Sequence, residues 1–408
     1  MFLTFEALQA RYGDCLLIHY GEESDPKIIL VDGGPGNVYS NSLKPRLSAI
    51  KNAKFKNRPL PLSMAMISHA DEDHIYGIIE LTAEMVQEKE DKILPDKKKY
   101  KIANLWFNSF DDIVGNDEMP LLASIKDKEK PTPAQIQAIP ELKGLDEHTL
   151  AIIASTGQGR TIRDAAITLD IPYNRPYTAL DAGKARLVRG DIDQNSTILD
   201  ELEINVIHPN TTSLKKLQKK WDTDLKAYKK KGDPNIILGN LASTDTSVFN
   251  LSSIVCLLKY EQKTILITGD ATSQNIYEGL KLNNFLDGAG KIHVDILKLP
   301  HHGSARNMTD EFLKNVTADH YVISANGRDD NPDQKTLDML ERNIAKGTIH
   351  LTNDMAEPAK DGTPDTALEL KINAFKLRMK NARPDVKIEV RDPEKPSIVI
   401  DLISSLTY

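Results

Sequence analysis

The sequence predicts an α/β protein whose chemistry is gathered at the ends of its strands. Apolar, β-rich runs recur along the chain and stop at His, Asp and Gly residues, and stretches of helical apolar spacing lie between them. Around these elements the chain organises one stretch of concentrated chemistry, Ser68-His69-Ala70-Asp71-Glu72-Asp73-His74, delivered by the apolar run Leu62 to Ile67.

That stretch is His-x-Asp-x-Asp-His, two imidazoles and two carboxylates at the mouth of a buried strand, where a turn can fold them around a cation. Imidazole suits zinc, iron and manganese, while carboxylate shifts preference towards harder ions, so the cluster is expected to be a mixed nitrogen and oxygen metal site. Four such ligands crowd a single ion. Two ions roughly 3.5–4 Å apart, sharing a bridging water, use all of them and suit in-line attack on phosphorus or on a carbonyl.

At these residues the chain resembles the metallo-β-lactamase superfamily, whose signature is His-x-His-x-Asp-His, with Asp71 standing where the second His usually is. That variant, with Ser68 before it and Gly77 after it, is similar to the hydrolase domain of ComEC-type DNA-uptake proteins and their free-standing relatives. Ile267-Thr268-Gly269-Asp270-Ala271 and Leu297-Lys298-Leu299-Pro300-His301-His302-Gly303-Ser304 follow in the family's order. The resemblance implies a four-layer αβ/βα sandwich with two divalent ions, manganese or zinc with magnesium as a further option, at one sheet edge. It implies His69, Asp71, Asp73, His74, Asp270 and His301 or His302 as ligands, with Asp270 bridging the two ions and His208 as a further candidate. Asp32 would lie beneath the metals and orient a ligand His. Catalytic roles fall on Asp73, Asp270 and His302, and substrate contacts on Ser304, on Asn331 in the loop Ala325 to Asp333, and on Lys215, Lys216, Lys219 and Lys220.

Length and composition set bounds. A chain of 408 residues with an apolar share of 40% is a globular protein of one large or two ordinary domains. The start, Met1 to Leu8, alternates like a strand and lacks the pattern of a signal peptide, and no stretch is long and apolar enough for a membrane span. Cys15 and Cys256 sit in apolar runs and read as buried hydrophobes, so a cytoplasmic location is expected. A net charge of −7 argues against an overall basic coat.

The elements follow in order. Leu16 to Tyr20 and Lys27 to Val31, with the start, make a three-strand meander ending in Asp32-Gly33-Gly34. Gly13-Asp14 is a turn. Tyr76 to Gln87 has helical spacing, Glu88 to Lys101 is a lysine-rich loop, and Ile102 to Phe107 a strand. Pro131 to Tyr173 reads as short helices broken at Gly157-Gln158-Gly159-Arg160, an insertion walling one side of the cleft. Ile204 to His208 is a strand, and His208 is either a ligand or a strand-end His bonded to a turn. Leu214, Leu217, Trp221, Leu225 and Tyr228 form one face of a basic amphipathic helix, its stripe packed on the domain and its lysines facing solvent or a phosphate backbone. Strands are expected at Ser253 to Leu258, Thr264 to Thr268, Asp295 to Pro300, Tyr321 to Ser324 and Thr348 to Thr352, with a helix at Thr336 to Ile344. Phe375 to Met379, Val386 to Val390 and Ser397 to Leu402 read as strands of a small C-terminal β appendage. The division is then a hydrolase domain over 1–373, with insertions near 88–101, 110–200 and 211–248, and an appendage over 374–408.

The expected activity is a metal-dependent phosphodiesterase or nuclease acting on DNA, the substrate class following from the resemblance and the lysines. A phosphorylcholine esterase-like or lactonase-like small-molecule hydrolase uses the same metal shell. A binding protein with a relic metal site is the reading from another class.

Overall fold

The computed structural model describes residues 1–109, 112–113, 147–177, 186–193, 195–219, 251–356 and 365–408, with side chains of 147–157 left aside. Two sheets lie face to face. One is built from β1 (Phe2–Leu8), β2 (Leu16–Glu22), β3 (Asp25–Val31), β5 (Met64–Met66), β7 (Leu105–Trp106) and β16 (Ser397–Asp401), in the order β16-β1-β2-β3-β5-β7. The other comprises β8 (Ser196–Leu199), β9 (Leu202–His208), β10 (Val255–Tyr260), β11 (Lys263–Ile267), β12 (Ile292–Lys298), β13 (Val316–Ile323), β14 (Gly347–Leu351) and β15 (Val386–Val390), in the order β15-β14-β13-β12-β11-β10-β9-β8. A short pair, β4 (Leu60–Leu62) and β6 (Tyr100–Ile102), stands beside the first sheet.

The period-two alternation of these strands divides their side chains between two faces. Phe5, Ile18, Ile29 and Met66 meet Val206, Cys256, Ile265 and Ile296 between the sheets. The opposite faces carry helices. Leu17 and Leu30 pack on Leu47 of α1 (Lys44–Lys54), Ile78 of α2 (Glu72–Glu90) and Ile162 of α3 (Glu147–Thr168). On the far side Leu257, Leu297 and Tyr321 pack on α4 (Ser273–Leu282), α5 (Asp310–Asn315), α6 (Gln334–Asn343) and α7 (Ala367–Ala382), through Ile276, Phe312, Leu340 and Phe375. The molecule is therefore the expected four-layer αβ/βα sandwich.

Several local readings are corrected. Helix α2 begins at Glu72, inside the metal motif, because Asp71 takes the extended N-cap conformation and Glu72 and Asp73 place negative charge in the first turn, where the helix dipole favours it. Helix α3 runs straight through Gly157-Gln158-Gly159-Arg160. It packs along α2 through Ile162 and Ala166, and that packing outweighs the propensity cost of two glycines. Phe375 to Met379 is helical, within α7, since Leu368, Ile372, Phe375 and Met379 recur at helical spacing and are the residues it buries. The two strands that follow pair with the main sheets, β15 parallel to β14 and β16 antiparallel to β1, so this segment closes two sheet edges instead of standing apart as an appendage. Ile102 to Phe107 divides between β6 and β7, which belong to different sheets. The stretches 114–146 and 220–250, which hold much of the expected insertions, Lys220 and the Trp221 end of the basic helix, lie outside the described residues.

The topology places the site. Strands β3 and β5 are parallel, as are β11, β12 and β13, and the C-terminal ends of β3, β5, β11 and β12 lead into the residues singled out above. Asp32 follows β3, His69 follows β5, Asp270 follows β11, and His301 and His302 follow β12. Helix α2 meets the end of β3 without side chains between: a Cβ on Gly77 would lie 2.1 Å from the Gly33 carbonyl oxygen, so the motif is held against the sheet by backbone contact.

Candidate metal centre

The imidazoles and carboxylates converge on Asp270, which is buried. Its Oδ1 lies 3.3 Å from His74 Nε2 and 3.8 Å from His302 Nε2. Its Oδ2 lies 3.5 Å from His69 Nε2 and 3.5 Å from His301 Nε2. Asp73 Oδ2 joins the first set, 3.2 Å from His302 Nε2 and 3.7 Å from His74 Nε2. Asp71 Oδ2 joins the second, 3.4 Å from His69 Nε2. One carboxylate thus faces two sets of donors, one oxygen to each.

Groups behind the donors fix their orientation. Asp32 accepts from Ser68 N at 2.7 Å, from Ser68 Oγ at 2.8 Å and from His74 Nδ1 at 2.9 Å, which makes Nε2 the His74 nitrogen that a metal would take once its proton is displaced. His302 Nδ1 donates to the Ser324 carbonyl at 2.9 Å. His301 Nδ1 lies 3.0 Å from Asn307 Oδ1, and Asn307 Nδ2 donates to the Asp270 carbonyl at 2.8 Å. His301 and His302 both have left-handed backbone, φ +48° and +53°, strain that successive non-glycine residues sustain only when the surroundings hold them. That turn lets two consecutive side chains reach Asp270 from different sides.

Charge is heavily concentrated here. Burial disfavours the ionised carboxylate of Asp270, yet His301, His74, His69 and His302 outweigh it and hold its pKa well below the ordinary range. Against the same burial, Asp270, Asp73 and Asp32 raise His74 well above 6.5, and Asp14 and Asp270 bring His302 up to about 9. Burial likewise opposes Asp73, but His74 and His302 bring it down to about 2. Two buried atoms at the centre, His69 Nε2 and Asp270 Oδ1, have no hydrogen-bond partner among the described residues. Inward-facing carboxylates and imidazoles match what a divalent cation requires, and two groups of them, Asp14 with His74, Asp270 and His302, and His69 with Asp73 and His74, lie close enough to hold a metal ion. Loading one displaces protons from the imidazoles.

The remaining expected residues are placed as follows. His208 is buried at the end of β9, with Nδ1 3.0 Å from the Ser253 carbonyl and Nε2 3.2 Å from Ser213 Oγ. It is a strand-end His bonded to a turn, outside the converging groups, and burial brings its pKa down to about 4. Ser304 is buried and closes the His301 turn, its N donating to the His301 carbonyl at 2.8 Å. Asn331 is buried in the loop 325–333, with no partner for Oδ1 among the described residues. Lys215, Lys216 and Lys219 are exposed on a helix over 211–219 that buries Leu214 and Leu217. Cys15 and Cys256 are free and buried.

Sequence reasoning missed Asp14 and Lys298. Lys298 is fully buried at the end of β12 with Nζ 2.8 Å from Asp14 Oδ2, and Asp14 Oδ1 lies 3.6 Å from His302 Nδ1. The signal was a lysine inside the apolar run Ile296-Leu297-Lys298-Leu299. The Gly13-Asp14 turn is clamped to the motif: Asp14 N donates to the Asp73 carbonyl at 3.2 Å, and a Cβ on Gly13 would fall 1.9 Å from that oxygen.

Fold and centre together define an αβ/βα sandwich with a candidate metal centre at one sheet edge, the layout that the metallo-β-lactamase resemblance implied. No family model matches the sequence, and no curated protein matches it. Among solved structures the chain is similar to the metallo-β-lactamase fold protein YhfI from Bacillus subtilis, at 12% identity over 98% of this chain and 99% of that one, with a TM-score of 0.39. It is also similar to a mutant of CmlA β-hydroxylase, at 11% identity over 97% of this chain and 54% of that one, TM-score 0.35. A protein of unknown function from Enterococcus faecalis V583 matches at 9% identity over 96% of this chain and 88% of that one, TM-score 0.28. These likenesses are loose, and the reading of the centre rests on its own geometry. Among the described residues no helix is long and apolar enough to cross a membrane.

Proposed function

We propose that the protein is a metal-dependent hydrolase of the metallo-β-lactamase superfamily, a phosphodiesterase that cleaves nucleic acid, DNA foremost. The observation that supports this most is the division of Asp270: one oxygen towards His74, His302 and Asp73, the other towards His69, His301 and Asp71. A carboxylate shared in this way suits two ions side by side. When bound, divalent ions at such a centre lower the pKa of a water and neutralise charge on phosphoryl oxygens. Manganese and zinc fit the mixed donors best, and the carboxylate in place of a second motif His favours the harder ion.

The chain's own residues do the rest. Asp32 holds the His74 tautomer, Ser324 and Asn307 hold His302 and His301, and Asp14 with Lys298 stiffens the wall behind His302. His301 is the most exposed of the four imidazoles, its side chain 21% exposed, so substrate would reach the centre from its side.

For the nucleic-acid substrate the support is the helix over 211–219. It starts at the same edge as the metal motif, since Ser213 bonds His208, His208 bonds Ser253, and Ile254 N donates to the Ser68 carbonyl at 2.7 Å. Its lysines are carried out from that edge into solvent. The test is hydrolysis of single- and double-stranded DNA, RNA and a simple phosphodiester with Mn²⁺, Mg²⁺ and Zn²⁺ supplied separately. Cleavage of polynucleotide well above the simple diester is expected. Activity confined to small esters or lactones overturns the nuclease reading, and no activity with any ion overturns the hydrolase reading.

A further inference from the structure

Beside the metal centre, the turn that holds Tyr12 and Gly13 meets the loop 325–333 at Arg328. Gly13 is pinned on one side by Ser324 Oγ, which donates to its carbonyl at 2.7 Å, and on the other by the Asp73 backbone. Tyr12, the preceding residue, therefore stands at the rim of the donor cluster. Burial, with the charges of Glu72 and Asp73, pushes its hydroxyl up to about 12 against the opposing charges of Arg328 and Arg11. The Arg328 guanidinium lies over the Tyr12 ring, 3.9 Å from the centroid, within cation–π range.

Arg328 is carried on a stiff arm. Gly327, Asp329 and Asp330 all have left-handed backbone, φ +89°, +55° and +64°. Arg328 N donates to Asn326 Oδ1 at 3.2 Å, and Gly327 N to the Asn331 carbonyl at 3.0 Å. Lys371 Nζ donates to the carbonyls of Asp330 at 2.7 Å and Pro332 at 3.2 Å. The arm is also fastened to the His301-His302 turn, Asp333 N donating to the Gly303 carbonyl at 3.1 Å and Ala305 N to Asp333 Oδ2 at 2.7 Å. Successive strained residues, so thoroughly braced, mark a position held for a purpose.

What the arm presents is a cation with its donors uncommitted. The Arg328 side chain is 50% exposed; its nearest ionic contact among the described residues is the neighbouring Asp329, at 3.8 Å and 81% exposed, and its charge also reaches Glu72, opposing the rise that burial gives that carboxyl. No described residue accepts a hydrogen bond from the guanidinium. A planar fork of N–H groups held beside a metal centre matches two oxygens of one phosphoryl group.

We propose that Arg328, braced on Tyr12, anchors an anionic phosphoryl oxygen of the substrate beside the metal centre, and so selects phosphodiesters over neutral esters. The proposal rests on the hydrolase reading above. The test compares kcat/KM for a nitrophenyl phosphodiester with that for nitrophenyl acetate, in wild type, Arg328→Gln, Arg328→Lys, Tyr12→Phe and Tyr12→Ala, all loaded with manganese. Losing a charged hydrogen bond should lower the diester-to-acetate ratio about tenfold in Arg328→Gln, mainly through KM. Arg328→Lys should recover part of it, Tyr12→Phe, which keeps the ring, should retain it, and Tyr12→Ala should lose it. Equal losses on both esters, or no change in the ratio, overturn the anchor. If wild type cleaves neither ester, the hydrolase reading is left to the polynucleotide assay above, and calorimetric titration with inorganic phosphate decides the anchor, affinity about tenfold weaker in Arg328→Gln supporting it and unchanged affinity overturning it.

Discussion

Replacing Asp32 with Asn changes one buried oxygen into an NH₂ group and little else. Asp32 has left-handed backbone, φ +58°, which Asn also tolerates, so the variant does not confound charge with backbone strain. The carbonyl of Asn can still accept from Ser68 N, but its NH₂ then sits where Ser68 Oγ and His74 Nδ1 point, at 2.8 and 2.9 Å. The Ser68 hydroxyl can rotate and accept. His74 cannot, unless its proton moves from Nδ1 to Nε2, and that proton covers the lone pair aimed at Asp270. Metal affinity should fall about 10–100-fold, the usual range when the partner behind a ligand His is lost. That corresponds to roughly 1.4–2.8 kcal/mol. With metal removed, the donor–donor clash should lower stability by about 1–3 kcal/mol. Competitive metal titration of chelator-stripped protein reads the first effect and urea unfolding in chelator the second. Metal affinity within about threefold of wild type would show that the His74 tautomer does not depend on Asp32 and refute the reasoning.

Three further outcomes are expected. Asp270→Ala removes the carboxylate shared by both donor sets, so bound metal should fall below two ions per chain and hydrolysis should vanish; near wild-type turnover in a steady-state assay would exclude a shared site. Glu6, buried at the β1–β2–β16 junction, is brought from 4.5 to about 2, His19 and Arg46 outweighing the opposing effect of burial. A depressed carboxylate stabilises the fold above its unfolded pKa and loses that contribution as pH falls towards the folded value. Glu6→Gln in chelator should therefore be less stable at pH 7 by on the order of a few kcal/mol, a gap that closes in urea titrations between about pH 4.5 and 2. Changing Lys215, Lys216 and Lys219 together to Gln should weaken polynucleotide binding and flatten its salt dependence by nearly one counterion per lost contact, while sparing a small phosphodiester; salt titration by fluorescence anisotropy checks this, and an unchanged slope would remove the lysines from the interface.

Much of this molecule is legible locally. The strands announce themselves because alternation and β-branched runs are properties of short windows, and donor types are a matter of residue identity, so Ser68 to His74, Asp270 and His301-His302 stand out before any folding is considered. Where a strand's C-terminal end carries a ligand, parallel pairing brings several such ends to one edge, and the order of motifs already implied that.

What needed the tertiary structure were relations between distant segments. Whether His301 or His302 faces Asp270 has no answer in the sequence; the left-handed turn allows both, one towards each oxygen. Asp14 and Lys298 read as a turn and an oddity until β12 and the Gly13-Asp14 turn meet and bury them as an ion pair. His208 has the residue type of a ligand, but its bonds to Ser253 and Ser213 depend on where β9 ends against β10. The C-terminal segment shows the same division: β15 and β16 look like part of a separate appendage because a window of sequence does not contain β14 or β1, the partners that each strand finds across the fold. Local pattern specifies which backbone can extend and which side chains can bind a cation. Only the long-range pairing of strands decides which of them meet, because that pairing is chosen by the burial of whole sheet faces.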